Sequence, residues 1–181
     1  MVNVRQMSLS RLNDLFSKND CRFQSLEFER GLGIVEDAFY LTVELGGQPI
    51  ITKIVTNLRC IRKDNTMVRY SDLFLTTSGK KISKREFRSQ RDIEKTALKA
   101  NLDLFNNIFG DKLIRSFKFS PCGDFKVSFS SSEFIVANDD LDVSKRGRHL
   151  YEILFVDSIK PYVVVVSECG RTIKVSKKNQ G

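Results

Sequence analysis

The chain has 181 residues, of which 41% are hydrophobic and 29% charged, and its formal net charge is +8. A chain of this length buries roughly two thirds of its surface on folding, so it needs neither disulfides nor metals to hold a core. The composition is that of a soluble globular protein, and the longest apolar run, residues 162–166, is strand-length, which excludes a membrane-spanning helix.

The cysteines predict reduced, buried thiols and no metal site. There is no C-x-x-C pair and only a single histidine, a pattern unlike that of structural zinc sites. Residues 1–10 lack the apolar core of a signal peptide, so we expect a cytoplasmic protein with no membrane partner. The cysteines are Cys21, Cys60, Cys122 and Cys169.

The first part of the chain predicts one short helix followed by strands. Residues 9–18 place apolar side chains three to four positions apart, which is typical of an amphipathic helix. Residues 39–45 alternate strictly between apolar and polar side chains, and Gly46-Gly47-Gln48-Pro49 follows as a turn. A strand with strict alternation has one buried face and one solvent-exposed face, which favours antiparallel pairing.

The middle of the chain predicts a long central helix from Ser83 to Phe109. Ser83 and Glu86 form a capping-box pattern, an apolar stripe strengthens toward the C-terminal end, and Gly110 closes the segment. Ile93 falls off the stripe. Residues 113–175 again show patterns typical of β-strands, so we expect an α+β fold of mostly antiparallel sheet around this helix.

The second half of the chain echoes the first at a separation of 91 residues. The triplets 14–16 and 103–105 also match, with a two-residue slip. A repeat predicts two similar helix-plus-sheet halves, although amphipathic strands that end in glycine produce a similar echo by themselves. The corresponding divisions are 1–82, 83–110 and 111–181. The identical pairs are Asp20 and Asp111, Ser25 and Ser116, Phe28 and Phe119, Gly79 and Gly170, and Ile82 and Ile173.

Most of the positive charge is concentrated in residues 80–99. Within this segment five basic residues recur at steps of four, three, four and four, which would place them on one face of the predicted helix. Such a face would bind nucleic acid or an acidic protein, and a solvated helix flank is the structural alternative. These candidate partner-binding residues are Lys84, Arg88, Arg91, Lys95 and Lys99.

Catalytic and cofactor motifs are weak or absent, so we expect no enzyme. His149 would have to serve any Ser–His or Cys–His catalysis, and Asp124 with Lys126 forms only a short nuclease-like pattern. Residues 31–33 lack the third glycine of a dinucleotide cradle, and no phosphate-binding loop is present, which predicts no nucleotide cofactor.

Residues 104–136 resemble small bacterial immunity proteins, the antidotes encoded beside polymorphic and contact-dependent growth inhibition toxins. The resemblance lies in a rhythm of short helix, Gly-Asp-Lys-Leu-Ile strand opening, Gly-Asp turn, apolar-x-Phe strand and hairpin. Its segments are 104–114, 123–129 and 133–136.

The resemblance implies a non-enzymatic protein that neutralises the C-terminal domain of a cognate toxin by binding it. It transfers no individual binding residue. Inhibitors of nuclease toxins are often acidic, whereas this chain is basic, so the resemblance implies an acidic toxin surface or a binding site independent of net charge. The alternative function is a nucleic-acid-binding module that uses the basic helix face.

Overall fold

The computed structural model describes residues 9–17, 20–31, 37–55, 57–83, 90–120, 124–138, 149–155, 162–167 and 173–177. Within them the chain forms an α+β fold of two helices and two antiparallel sheets, which confirms the predicted fold class. The elements are α1 (Leu9–Ser17), β1 (Cys21–Glu29), β2 (Ala38–Leu45), β3 (Gln48–Ile54), β4 (Asn57–Arg62), β5 (Asn65–Arg69), α2 (Ala97–Phe109), β6 (Ser116–Phe119), β7 (Phe125–Ser128), β8 (Glu133–Asn138), β9 (His149–Phe155), β10 (Tyr162–Ser167) and β11 (Ile173–Lys177).

The two sheets interleave the beginning and the end of the chain. One sheet has six strands in the order β1-β2-β3-β9-β10-β11, and the other has five in the order β5-β4-β8-β7-β6. Since β3 pairs with β9 and β4 with β8, the predicted halves 1–82 and 111–181 both contribute strands to each sheet. The inward side chains of both sheets join the helices in one hydrophobic cluster.

The alternating pattern of residues 39–45 forms β2, with its apolar residues buried and its polar residues partly exposed. Gly46 and Gly47 connect β2 to β3 with φ angles of 57° and 82°. A two-residue hairpin needs such left-handed angles to match the twist of its strands, and glycine adopts them without strain. The antiparallel pairing and the turn at Gly46-Gly47 are confirmed, whereas Gln48 and Pro49, predicted as part of the turn, already belong to β3.

The apolar positions of the strands and helices also predict a core, and the structure confirms it for most of its members. The side chains of two predicted members, Leu154 and Val164, lie outside the described set. Among those whose side chains the structure describes, Leu75 alone is partly exposed. The buried ones are Phe23, Leu26, Phe28, Phe39, Leu41, Val43, Ile54, Leu73, Leu98, Phe105, Phe117, Phe119, Phe129 and Ile135.

The long central helix is not shown, because α2 begins only at Ala97. Thr96 has extended backbone angles, and its hydroxyl accepts a hydrogen bond from the Lys99 amide, which makes it the N-cap. The preceding residues Gln90–Lys95 form a 3-10 helix in which Ile93 is buried. Ile93 does not fit the apolar stripe of the predicted α-helix, because it enters the core from the separate 3-10 helix. The predicted capping partner Glu86 lies outside the described residues.

In each sheet, a helix covers an edge strand. In the six-stranded sheet, this strand is β1. The side-chain amide of Asn106, on α2, receives the Leu26 N–H at 2.9 Å and donates to the Leu26 carbonyl at 3.0 Å. An Asn amide carries a donor and an acceptor like a peptide group, so it satisfies both outward backbone groups of an edge residue. Residues 111–114 continue this cover with backbone hydrogen bonds to Cys21 and Phe23.

The second covered edge is β6, and its cover mirrors the first. Asn13, on α1, receives the Phe119 N–H at 2.8 Å and donates to the Phe119 carbonyl at 2.9 Å. Thus α2 packs on β1 and α1 packs on β6. Each helix therefore stabilises a strand that lies far away in the sequence.

The two covers are related at a separation of 93 residues, which joins Asn13 to Asn106 and Leu26 to Phe119. Burial follows the same separation, because Leu12 and Phe105 are both buried, as are Phe16 and Phe109. The slipped match of triplets 14–16 and 103–105 pairs a partly buried Leu15 with an exposed Leu104 instead. The duplication stays a prediction. Around the helices, the residues that correspond in structure are 93 positions apart in the sequence, not 91.

We expect Asn106→Ala to lower the free energy of unfolding by about 1–3 kcal/mol, because both Leu26 backbone groups lose their partner. Asn107→Ala is the matched control, since Asn107 is exposed on the same helix and its loss should change stability by no more than about 0.5 kcal/mol. Urea unfolding of the two variants measures the difference. Equal stability of the two would contradict the role assigned to Asn106.

Burial makes the two described cysteines unreactive. It raises the pKa of the Cys21 thiol from 9.0 to about 12 and that of Cys60 well above 9.0. Both thiols are free of disulfide bonds. Because their pKa values are raised, they stay protonated in the folded protein at a pH at which the thiols of an unfolded chain are already ionised.

In a Cys122→Ser/Cys169→Ser variant, we expect a thiol-specific reagent at pH 8 to leave the native protein unlabelled and to modify two thiols after addition of denaturant. Mass spectrometry counts the adducts. Rapid labelling of the native variant would show that Cys21 or Cys60 is accessible and that its burial is misassigned.

Candidate functional site: an acidic cleft between β1 and α2

A cleft of about 280 Å³ lies where β1, α2 and the 3-10 helix Gln90–Lys95 meet. Its apolar lining comes from buried side chains of the core, and its polar lining comes from charged groups at the surface. The lining residues are Leu26, Glu27, Phe28, Ile93, Glu94, Lys99 and Leu102.

Local structure brings these groups together from three parts of the chain. Asn106 holds Leu26, and with it β1, against α2. Thr96 interrupts the helical path, and the Ala97 amide donates to the Leu75 carbonyl at 2.8 Å. The chain thereby changes direction between Glu94 and Lys99, and both side chains line the same cleft.

Lys99 is surrounded by carboxylates. Its ammonium pairs with Asp103, one helical turn further along α2, and the hydrogen bond from Lys99 to Asp103 is the main reason that the Lys99 pKa is raised. The charges of Asp103, Glu94 and Glu27 also raise this pKa, against a partial desolvation that lowers it. Each of the three carboxylates therefore lies close enough to act on the ammonium.

The cleft and its rim are consequently acidic within a basic chain. Three carboxylates, Glu27, Glu94 and Asp103, face one ammonium, which leaves a net charge of −2. Next to Asp103 on α2, Leu104 is 52% exposed, one of two large hydrophobic side chains in the described residues to be so open. A single exposed leucine is ordinary on a protein surface, so the negative charge is the feature that distinguishes this region.

The five predicted partner-binding residues do not form one described helical face. Lys84 and Arg88 lie outside the described residues, and only the backbone of Arg91 is described, within the 3-10 helix. Lys95 is exposed at the end of that 3-10 helix. Lys99 lies on α2 beyond the break at Thr96, where the carboxylates Asp103, Glu94 and Glu27 act on its ammonium.

The residues considered for catalysis are placed as follows. Asp124 precedes β7, and its amide donates to the Ser120 hydroxyl at 3.0 Å. The Lys126 ammonium lies 4.0 Å from the centre of the Phe134 ring. His149 belongs to β9, opposite Ser167, and its side chain is outside the described set. Among the described residues, no three His, Cys, Asp or Glu side chains form a group that could hold a metal ion.

A half-buried tyrosine–carboxylate pair has a structural role. The Tyr70 hydroxyl donates to Asp37 at 2.7 Å, and the second oxygen of Asp37 accepts the Gly31 amide at 2.9 Å. Burial, followed by the hydrogen bond to Asp37 and its charge, raises the Tyr70 pKa, so the phenol stays protonated. Asp37 thereby ties both ends of the β1–β2 connection to the residue that follows β5.

Sequence reasoning overlooked the acidic groups of the cleft. Lys99 and Asp103 are four residues apart on a helix, and this spacing alone indicates an ion pair that removes Lys99 from a free basic row. Glu27 and Glu94 carry no such signal, because only the packing of β1 on α2 brings them to Lys99.

None of the described helices is long and apolar enough to span a membrane. Comparison of the chain with protein-family models, with curated proteins and with solved structures gave no match. Functional inference for this chain therefore rests on its own residues.

Proposed function

We propose that the chain is a non-enzymatic, cytoplasmic immunity protein that binds a cognate toxin domain through the cleft between β1 and α2. The observation that carries the proposal is the net negative charge of this cleft in a chain whose total charge is +8. The sequence resemblance to immunity proteins supplies the class of partner.

Charge complementarity supports a basic partner. Toxin domains that act on nucleic acids carry basic surfaces, because they must approach phosphates, and an inhibitor matches them with carboxylates. The overall basicity of this chain conflicts with such a partner only if the charge is spread evenly. Glu27, Glu94 and Asp103 instead concentrate negative charge at one cleft.

Apolar contact would supply the affinity that rim charges do not. Leu104 is exposed on α2 beside Ala100 and Asn107, which are also exposed, so a partner can approach this face of the helix. Interfaces gain most of their energy from a few such apolar anchors, whereas rim charges set the rate and specificity of association.

The cleft favours a protein partner over nucleic acid at this surface. A phosphate that approached Lys99 would also meet Asp103, Glu94 and Glu27, so repulsion would offset the gain from one ammonium. The alternative of a nucleic-acid module built on Lys84, Arg88, Arg91, Lys95 and Lys99 therefore has weaker support at its Lys99 end.

The proposal predicts a stoichiometric complex with the toxin domain encoded by the adjacent upstream gene. Co-expression and size-exclusion chromatography should give a stable heterodimer, with a dissociation constant in the micromolar range or below. A neighbouring product that is unlike a toxin and does not bind would contradict the proposal.

We further expect Glu94→Lys/Asp103→Lys to weaken this complex by about tenfold or more, mainly through slower association at low salt. Both side chains are exposed, so the fold should be retained. Asp14→Lys/Asp20→Lys is the matched control, because it makes the same change of charge at two exposed carboxylates outside the cleft. Equal loss in both variants would place the toxin elsewhere.

A further inference from the structure

The outer face of the five-stranded sheet carries a row of residues that is basic on four of the five strands. Cross-strand register places Arg69 opposite Arg59, Val136 next to Arg59, and Lys126 between Val136 and Lys118. All four basic side chains are exposed. The neighbouring row, one residue along each strand, is fully buried and confirms which face is outward. It consists of Val68, Cys60, Ile135, Val127 and Phe117.

Two pairs in this row place like charges directly opposite one another, namely Arg59 with Arg69 and Lys118 with Lys126. Such pairs destabilise a sheet unless an anion neutralises them. None of the four side chains forms an ion pair with a described residue. The only acidic residue within these five strands, Glu133, lies in the inward phase and pairs with Arg62.

The six-stranded sheet shows what an ordinary outward row looks like. There Lys53 lies opposite Glu152 and pairs with it at 3.7 Å, and Tyr40 separates Lys53 from Glu27. Opposite charges alternate across that sheet, and the repulsion is removed internally. On the five-stranded sheet, the repulsion within the row of Arg and Lys residues is not offset by neighbours in that row. An external anion is needed to remove it.

An aromatic ring lies beside the basic row. Phe134 is partly exposed in the next outward row, between Ile61 and Ser128, and the Lys126 ammonium lies 4.0 Å from the ring centre. Aromatic rings that alternate with basic side chains on an open sheet allow bases to stack while phosphates bind the cations.

We propose that this face binds single-stranded nucleic acid, with Arg59, Arg69, Lys118 and Lys126 contacting phosphates and Phe134 stacking on a base. A base that stacks on the ring displaces the Lys126 ammonium, which then pairs with a phosphate of the bound strand. This site shares no residue with the acidic cleft or with the basic segment 80–99, and its test is independent of the toxin complex.

The shape of the face selects a single strand over a duplex. The row crosses four inter-strand gaps, so it is about 19 Å long, enough for several nucleotides. Among the described residues of this face, no helix or two-stranded ribbon projects outward that could enter a major groove.

The test is binding of the full chain to fluorescein-labelled oligouridine and oligothymidine of about twelve nucleotides, followed by anisotropy across a salt series. Four phosphate contacts predict a log–log salt slope of about −3. Either oligonucleotide satisfies the proposal, and the ratio of the two affinities reports the combined effect of the 2′-hydroxyl and the thymine methyl group. No binding at low salt, preference for duplex DNA, or equal binding of polyglutamate would overturn it.

Variants locate the site on the sheet. Lys118→Gln/Lys126→Gln should weaken binding by about tenfold and halve the salt slope, while stability stays equal or rises because the opposed charges are gone. Phe134→Leu keeps an apolar side chain but removes stacking, so affinity should fall about fivefold or more with the slope unchanged.

The matched control is Lys81→Gln/Lys95→Gln, which removes the same charge from two exposed residues of the basic segment 80–99. It should bind as the parent does. If this control loses binding while Lys118→Gln/Lys126→Gln retains it, nucleic acid binds the basic segment instead and the assignment to the sheet is wrong.

Discussion

The fold depends on two asparagine side chains that complete the open edges of two sheets. Asn106 covers Leu26 on β1, and Asn13 covers Phe119 on β6, each with a pair of hydrogen bonds that replaces a neighbouring strand. An uncovered edge would expose backbone groups to pairing with other chains. Because each helix covers a strand distant in sequence, the early and late parts of the chain stabilise one another.

This arrangement also determines where the charges lie. Packing of α2 on β1 creates the cleft and brings Glu27 to Lys99, whereas pairing within the five-stranded sheet aligns Arg59, Arg69 and the two lysines on an open face. A net charge of +8 therefore describes neither surface. One surface is suited to a basic protein and the other to a phosphate backbone, so the two proposals do not compete for the same residues.

The sequence was sufficient for features that depend on local pattern. Alternation identified β2, Gly46-Gly47 identified the hairpin, and the apolar positions identified most of the core. The start of α2 was predicted wrongly because Thr96 donates to the nearby Ile93 carbonyl and the Ala97 amide donates to the distant Leu75 carbonyl, and no periodicity reveals the second bond. Ile93, off the stripe, was the one local sign of the break.

The candidate sites were less predictable because they arise from strand register and helix packing. Lys118 lies between two buried phenylalanines, and Lys126 between Phe125 and Val127, so sequence alone places both on an outward face. Sequence does not say that they lie opposite one another, or that Arg59 and Arg69 share their row. The acidic cleft likewise does not follow from sequence alone, because it forms only where β1 packs beside α2.

Native-state hydrogen exchange of the Leu26 and Phe119 amides tests the interlocked edges most directly. Both amides lie on edge strands and donate to an asparagine of the covering helix, so without that cover they would exchange readily through local fluctuations. We expect both to exchange only through global unfolding, with the same free energy as the amides of the central strands. Fast exchange of either amide, at a free energy well below that of global unfolding, would contradict the account, because the two parts of the chain would then open independently.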